Sequence, residues 1–118
     1  MKKTTRSALI LAGDIGGTKT RLGLYRASET ASRLLTSTSY PSKAYRGLAS
    51  IIDEFLQGQE RISAASFGVA GPVVNGSAVA TNLPWKISES SLRRVLNIKN
   101  ISLINDLVAN AYGIEVME

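Results

Sequence analysis

The sequence predicts an α/β fold, in which a mixed sheet with antiparallel first strands carries helices on its faces. An apolar run at 8–12 is followed by a glycine-containing bend and a second apolar run at 22–25, a pattern typical of a β-hairpin. Further on, segments with helical spacing of apolar residues alternate with short apolar runs. Because strands and helices alternate there, strands covered by helices are expected in the second half.

The middle of the chain predicts a third strand and a first helix. Arg33 to Tyr40 alternate loosely and end at Pro41, which suits a strand near the edge of the sheet. The following segment has apolar residues at helical spacing, and Gly58 provides its C-terminal stop. The apolar stripe of this helix consists of Leu48, Ile51, Ile52, Phe55 and Leu56.

The second half predicts two more strands, at 62–70 and 101–104, separated by a loop excursion and a helix. The excursion bends at Gly76, and Ser88 caps the helix with Glu89 beside the positive end of its dipole. A final helix follows the last strand. The expected inner faces are Leu92, Val95 and Leu96 in the first of these helices, and Leu107, Val108, Ala111 and Tyr112 in the last.

The composition restricts the chemistry that is available. The 118 residues suffice for one domain with a core, and residues 1–7 are expected to form a flexible basic tail. With no Cys and no His, disulfides and the usual zinc ligands are excluded, so acid-base chemistry must use a carboxylate, Lys or Tyr.

The charge and the first apolar run restrict the partners and the location. The net charge is +5, but the few aromatic residues are scattered and are not interleaved with Lys or Arg. Proteins that bind nucleic acid combine basic and aromatic residues, so no nucleic-acid partner is expected. The apolar run after the basic tail is only as long as a strand and has no cleavage pattern. We therefore expect neither a signal peptide nor a membrane span, and we predict a cytoplasmic protein.

The bend between the first two strands is a candidate phosphate site. Gly16 and Gly17 lack the Cβ atoms that would keep a ligand from the backbone, and their N–H groups, with that of Thr18, can form a concavity that binds phosphate oxygens. Asp14 could face Mg²⁺ beside those phosphates, directly or through water. The alternative is an ordinary Gly-Gly hairpin in which Asp14 caps its own turn. The two common phosphate-binding fingerprints, G-x-x-x-x-G-K-[ST] and G-x-G-x-x-G, are both absent from this bend.

Asn105 and Asp106 form a second candidate site. They follow a strand and precede a helix, the place where open α/β sheets bind ligands. Asp106 could accept a proton from a substrate hydroxyl, and Asn105 could hydrogen-bond the same substrate. The alternative is that Asp106 is only the N-cap of the next helix. If the glycine bend and this pair lie at one sheet edge, the requirements of phosphoryl transfer are largely met.

Four segments of the chain together resemble the motifs of bacterial glucokinases, which belong to the hexokinase and actin-like ATPase superfamily. The resemblance covers nearly the whole chain and implies the ribonuclease H-like fold of that superfamily. The segments are Gly13-Asp14-Ile15-Gly16-Gly17-Thr18-Lys19-Thr20-Arg21, Phe67-Gly68-Val69-Ala70-Gly71-Pro72, Thr81-Asn82-Leu83-Pro84-Trp85 and Leu103-Ile104-Asn105-Asp106-Leu107.

The resemblance implies ATP-dependent phosphorylation of glucose at its 6-hydroxyl, the first step of glycolysis, with Mg²⁺ and a homodimeric full-length enzyme. It implies that Asp106 is the general base and that Asn105 binds the sugar. The implied ATP phosphate loop is Gly13, Asp14, Ile15, Gly16, Gly17 and Thr18, with Asp14 near Mg²⁺. For Trp85, a role as packing anchor of its loop is favoured over sugar contact.

Members of the family have two domains and are considerably longer than this chain. We therefore expect residues 8–118 to be the N-terminal domain, with the C-terminal domain absent and little turnover by the fragment alone. The alternatives are a kinase for another hexose, a sugar-sensing regulator and an actin-like chaperone ATPase. Such regulators place a helix-turn-helix before the first strand, for which residues 1–7 are too few.

Overall fold

The computed structural model describes residues 8–28, 30–57 and 61–105, and all structural statements concern these residues. The predicted tail, the stop at Gly58, Asp106 and the predicted final helix lie outside them. No helix in the described ranges is long and apolar enough to cross a membrane. The elements are β1 (Ala8–Ile15), β2 (Lys19–Ala27), β3 (Ser32–Pro41), a 3-10 turn (Ser42–Ala44), α1 (Leu48–Phe55), β4 (Ala64–Val69), β5 (Val73–Val74), β6 (Ser77–Val79), β7 (Lys86–Ser88), α2 (Glu89–Leu96) and β8 (Asn100–Asn105).

The main sheet has five strands in the order β3-β2-β1-β4-β8. The strands β1, β2 and β3 are antiparallel neighbours, whereas β4 runs parallel to both β1 and β8. The predicted mixed sheet with antiparallel first strands is therefore confirmed. The third strand lies at an edge, as its weak alternation and polar composition predict.

Alternation along β1 defines the two faces of this sheet. Leu9, Leu11, Gly13 and Ile15 are buried, whereas the alternate residues are half-buried. Successive side chains of a strand point to opposite faces, so the buried set marks the face that packs on the core. Both described helices contribute to that core, with Ile51 of α1 and Leu92 of α2 buried in the same cluster.

The helix starting at Ser88 is capped as the sequence predicts. The Ser88 hydroxyl accepts a hydrogen bond from the N–H of Ser91 at 3.1 Å. Leu92 is buried, but Val95 is 55% exposed. The assignment of Val95 to the inner face is wrong, because the eight-residue helix presents too narrow a stripe to the core for a third apolar position to be covered.

A second, three-stranded antiparallel sheet occupies the region predicted to be a loop excursion. Its turn joins β5 to β6 at Asn75 and Gly76, which have φ values of 52° and 74°. The bend at Gly76 is confirmed, whereas the absence of strands around it is wrong. Strands of two or three residues are too short for an alternating pattern to reveal them.

Candidate functional site

The carboxyl ends of the three parallel strands meet at one edge of the main sheet. Ile15 of β1 is in register with Val69 of β4, and Val69 is in register with Asn105 of β8. With neighbouring strands separated by about 4.8 Å, the two outer positions lie about 10 Å apart. The edge therefore brings the glycine hairpin, which follows Ile15 directly, close to Asn105.

The hairpin tip has a defined internal hydrogen bond. The Gly16 N–H donates to the Lys19 carbonyl oxygen at 2.9 Å, so it is already used within the turn. The N–H groups of Gly17 and Thr18 make no hydrogen bond to any part of the chain that the structure describes. Of the three amides predicted to bind phosphate, these two are therefore the stronger candidates.

Glycine is needed in this hairpin for close approach rather than for an unusual backbone conformation. Among the described glycines, positive φ occurs only at Gly71 and Gly76, so the tip does not need glycine for a left-handed backbone. A Cβ atom on Gly17 would instead lie 2.8 Å from the Thr81 carbonyl oxygen. The hairpin tip thus lies directly against the loop that contains Thr81 and Asn82, and a side chain at Gly17 would separate them.

Two other members of the predicted phosphate loop have clear structural roles. A Cβ atom on Gly13 would lie 2.6 Å from Cδ1 of Phe67 and 2.8 Å from Cδ2 of Leu22, so this glycine allows β1 to pack in the core. Ile15 is fully buried. These packing roles account for both residues without a ligand, and their assignment to ATP binding stays a prediction.

Asn105 fixes a neighbouring loop at the same edge. Its side-chain amide donates a hydrogen bond of 2.5 Å to the carbonyl oxygen of Gly71, just after β4. Gly71 has a φ of 154°, a conformation that other residues rarely adopt. Next to it, the Ala70 carbonyl oxygen accepts hydrogen bonds from the N–H and the hydroxyl of Thr81. Hydrogen bonds and close packing therefore link Asn105 to the hairpin tip through Gly71 and Thr81.

The residues at this edge fit a magnesium ion that is held mainly by phosphate oxygens. Asp14 is half-buried at the end of β1, one residue before this edge. No group of three or more acidic side chains that could hold a metal ion occurs in the described ranges. Mg²⁺ commonly keeps several waters and uses one or two carboxylates together with substrate phosphates, so a single aspartate suits such an ion.

Trp85 is an anchor for the loop between β6 and β7, as expected. Its side chain is only 3% exposed, and its indole N–H donates to the Tyr45 carbonyl oxygen at 3.3 Å. Thr81 and Asn82, in contrast, are exposed beside the hairpin tip, and Asn82 has a φ of 64°. Both belong to a segment that resembles a glucokinase motif, but the sequence predicts no role for either residue. Their proximity to Gly17 arises only from the fold, so no local sequence pattern could indicate it.

The fold is that of the actin-like ATPase class. The glucokinase family model matches residues 11–118. The chain is 43% identical over 110 residues to a glucokinase of Trichormus variabilis, an alignment covering 90% of this chain and 32% of that protein. It is 40% identical over 103 residues to a glucokinase of Caulobacter vibrioides, covering 86% of this chain and 31% of that protein. Among solved structures, a glucokinase from an Antarctic psychrotroph superimposes with a TM-score of 0.81 at 28% identity, covering 94% of this chain and 36% of the other.

The chain belongs to the glucokinase family, since the family model covers nearly all of it. It spans about a third of the length of the curated relatives that it matches. The strand order confirms the mixed sheet expected from the sequence. The superposition on the psychrotroph glucokinase confirms the expected fold class.

Proposed function

We propose that the full-length protein containing this chain transfers a phosphoryl group from ATP to the 6-hydroxyl of glucose. The observation that carries the proposal is the alignment of Ile15, Val69 and Asn105 at one sheet edge. The hairpin tip with the Gly17 and Thr18 amides lies at one side of that edge, and the strand leading to Asp106 lies at the other. Membership of the glucokinase family supports the same assignment.

In the proposed mechanism, the Gly17 and Thr18 N–H groups bind phosphate oxygens of the nucleotide. These amides would stabilise negative charge that develops during transfer, since preorganised donors do not need to reorient in the transition state. Asn105 would hold the sugar, and Asp106 would accept the proton of the attacking hydroxyl. Phosphoryl transfer depends mainly on such positioning and charge stabilisation.

Mg²⁺, when bound with the nucleotide, would neutralise charge on the phosphates. The residue of this chain that would face it is Asp14, acting through water. Asp14 follows Gly13 in β1, and Gly13 is held by contact with Phe67 and Leu22. The backbone that carries this carboxylate is therefore fixed by the core of the sheet.

Replacement of Asp106 by alanine in the full-length protein tests the mechanism. We expect kcat to fall by about a hundred- to ten-thousand-fold, because a positioned general base typically contributes that much. The KM for ATP should change little, since the nucleotide is assigned to the hairpin. Kinetics with ATP and a panel of hexoses, coupled to product detection, would measure both values and the preference for glucose.

The matched control for this variant is Asp53→Ala, which removes an exposed carboxylate from α1. This variant should retain the parental kcat. A kcat of the Asp106 variant within about threefold of the parent would remove Asp106 from the role of base.

A cytoplasmic location, a role at the start of glycolysis and a homodimeric assembly are part of the same proposal. The location is proposed because the reaction consumes ATP, and the assembly because of the resemblance to glucokinases. Cell fractionation and light scattering of the purified full-length protein would test them independently of the kinetic assay.

A further inference from the structure

Two buried hydroxyl side chains lie against the hairpin tip. Thr20 and Ser42 are both fully buried, and they are the buried polar side chains in the described part of the chain. Thr20 lies near the start of β2, and Ser42 opens the 3-10 turn that follows β3. Because a buried hydroxyl is costly unless it is hydrogen-bonded, the partners of these groups indicate why they are retained there.

Ser42 holds both sides of the tip. Its hydroxyl donates to the Gly16 carbonyl oxygen at 2.8 Å, and its backbone N–H donates to the Thr18 carbonyl oxygen at 2.9 Å. The Thr20 hydroxyl lies 2.8 Å from the Ser42 hydroxyl. Since the single Ser42 hydroxyl proton is used on Gly16, Thr20 is the donor between the two hydroxyls.

The bond from Ser42 to Gly16 sets the direction of the next amide. The Gly16 carbonyl and the Gly17 N–H belong to one planar trans peptide unit, in which the two groups point in opposite directions. A carbonyl held toward Ser42 therefore turns the Gly17 N–H away from the buried hydroxyl pair. This N–H is one of the two amides assigned to phosphate oxygens.

We propose that Ser42, supported by Thr20, is a positioning residue that orients the Gly17 N–H toward the nucleotide phosphates. The proposal rests on the proposed kinase function, because it concerns the same hairpin. Because Ser42 is fully buried, its hydroxyl is assigned no contact with substrate. Its effect on catalysis passes through the peptide unit between Gly16 and Gly17.

The substitution Ser42→Ala in the full-length protein removes the hydroxyl and keeps the backbone N–H bond to Thr18. We expect the KM for Mg-ATP to rise by about threefold to tenfold, the range that corresponds to loss of one ordinary hydrogen bond. The KM for glucose should stay within about twofold of the parent. The matched control is Ser37→Ala, which removes an exposed hydroxyl from the preceding edge strand β3 and should leave both constants unchanged.

Substitutions at Thr20 decide the matter if the Ser42 variant does not fold. Thr20→Val keeps the shape of the side chain and removes the donor to Ser42, so it should raise the KM for Mg-ATP in the same direction. Thr20→Ser keeps the hydroxyl and should restore the parental value. An unchanged KM for Mg-ATP in the Ser42 and Thr20→Val variants, with only a lower thermal midpoint, would overturn the proposal and leave the pair a purely structural role.

A measurement of binding separates this inference from the function on which it rests. In amide spectra of the full-length protein titrated with Mg-ADP, the Gly17 resonance should shift in the parent and shift less in Ser42→Ala. A parent that shifts at Gly17 but does not phosphorylate glucose would contradict the proposed reaction and leave the positioning role supported. Equal Gly17 shifts in the parent and in Ser42→Ala would overturn the positioning role even in an active kinase.

Discussion

The hairpin tip at Gly16–Lys19 and the turn at Asn75–Gly76 both join antiparallel strands through glycine, but they need glycine for different reasons. In the second turn, both residues have left-handed φ values, which is the requirement of the most common two-residue hairpin turn. In the first, neither Gly16 nor Gly17 has a positive φ. The need for glycine there comes from the Thr81 carbonyl oxygen, which leaves no room for a Cβ atom on Gly17.

The difference shows where the shape of each turn is encoded. The left-handed backbone of the Asn75–Gly76 turn is favoured by its own two residues, and the Gly76 carbonyl oxygen also accepts a hydrogen bond from the Glu89 N–H at 2.8 Å. The candidate phosphate loop has no left-handed residue to define its shape, and it is held from outside by Ser42 on one side and by the Thr81 loop on the other. A ligand-binding loop held in this way can have its geometry fixed before the ligand arrives, which lowers the ordering cost of binding.

The largest effect is expected when the external support of the first hairpin is broken by Gly17→Ala. The added methyl group would lie 2.8 Å from a backbone oxygen, which cannot move without displacing its loop. We expect a loss of about 1–3 kcal/mol in the free energy of unfolding, as for other overpacked sites, together with weaker nucleotide binding. Denaturant unfolding and titration with Mg-ADP would measure the two effects.

The control for Gly17→Ala is Gly47→Ala, where an added Cβ meets no atom within 4 Å and φ is −179°. This variant should bind nucleotide like the parent. Parental nucleotide affinity in Gly17→Ala would mean that the hairpin tolerates separation from the Thr81 loop, and the comparison of the two turns would fail.

A smaller effect is expected at the second turn. Gly76→Ala places a side chain at a φ of 74°, which costs about 1–2 kcal/mol in the free energy of unfolding. Nucleotide affinity should not change, because this turn and the Thr81 loop lie at opposite ends of β6. Gly76→Asn should lose less stability, since asparagine tolerates left-handed backbone better than alanine. Equal losses for the two variants in denaturant unfolding would argue against a backbone origin of the effect.

The same contrast explains how much of the fold could be predicted from the sequence. The hairpin of β1 and β2, the helix with Ile51 and Ile52 on its inner face, and the cap at Ser88 follow from local periodicity and capping chemistry. The small sheet of β5, β6 and β7 could not be predicted, because its strands are shorter than one full alternation. In this chain, the periodicity of apolar residues predicts the strands of six residues or more and misses the strands of two or three residues.

The candidate site was predictable only where it depends on strand ends. Asn105 could be placed at the carboxyl edge because it follows an apolar run. The role of Ser42 could not be predicted, since its partner Gly16 is 26 residues away and nothing in a Pro-Ser pair indicates a buried hydroxyl. Contacts of this kind become visible only when β2 and β3 are paired in register.

The smallest effect is expected from alkaline pH, acting on the aromatic residues that flank Ser42. Tyr40 and Tyr45 lie edge to face with ring centroids 5.8 Å apart, and the Tyr45 hydroxyl donates to Glu54 at 3.0 Å. Burial, followed by the negative charge of Glu54, raises the pKa of Tyr40 above its ordinary value. Burial and the hydrogen bond to Glu54 raise the pKa of Tyr45 in the same direction.

Both shifts favour the neutral phenols in the folded protein. Their contribution to stability is therefore complete below about pH 10, the pKa of tyrosine in the unfolded chain. It is lost as the pH rises through the higher pKa values of the folded state. The thermal midpoint should therefore fall above about pH 10, and Tyr45→Phe should reduce that fall. Ultraviolet absorbance of tyrosinate, followed together with Cα chemical shifts, would show the Gly16 resonance changing and the Gly76 resonance unaffected. Parallel changes at Gly16 and Gly76 would mean that alkaline pH loosens the whole domain, and not the externally supported hairpin alone.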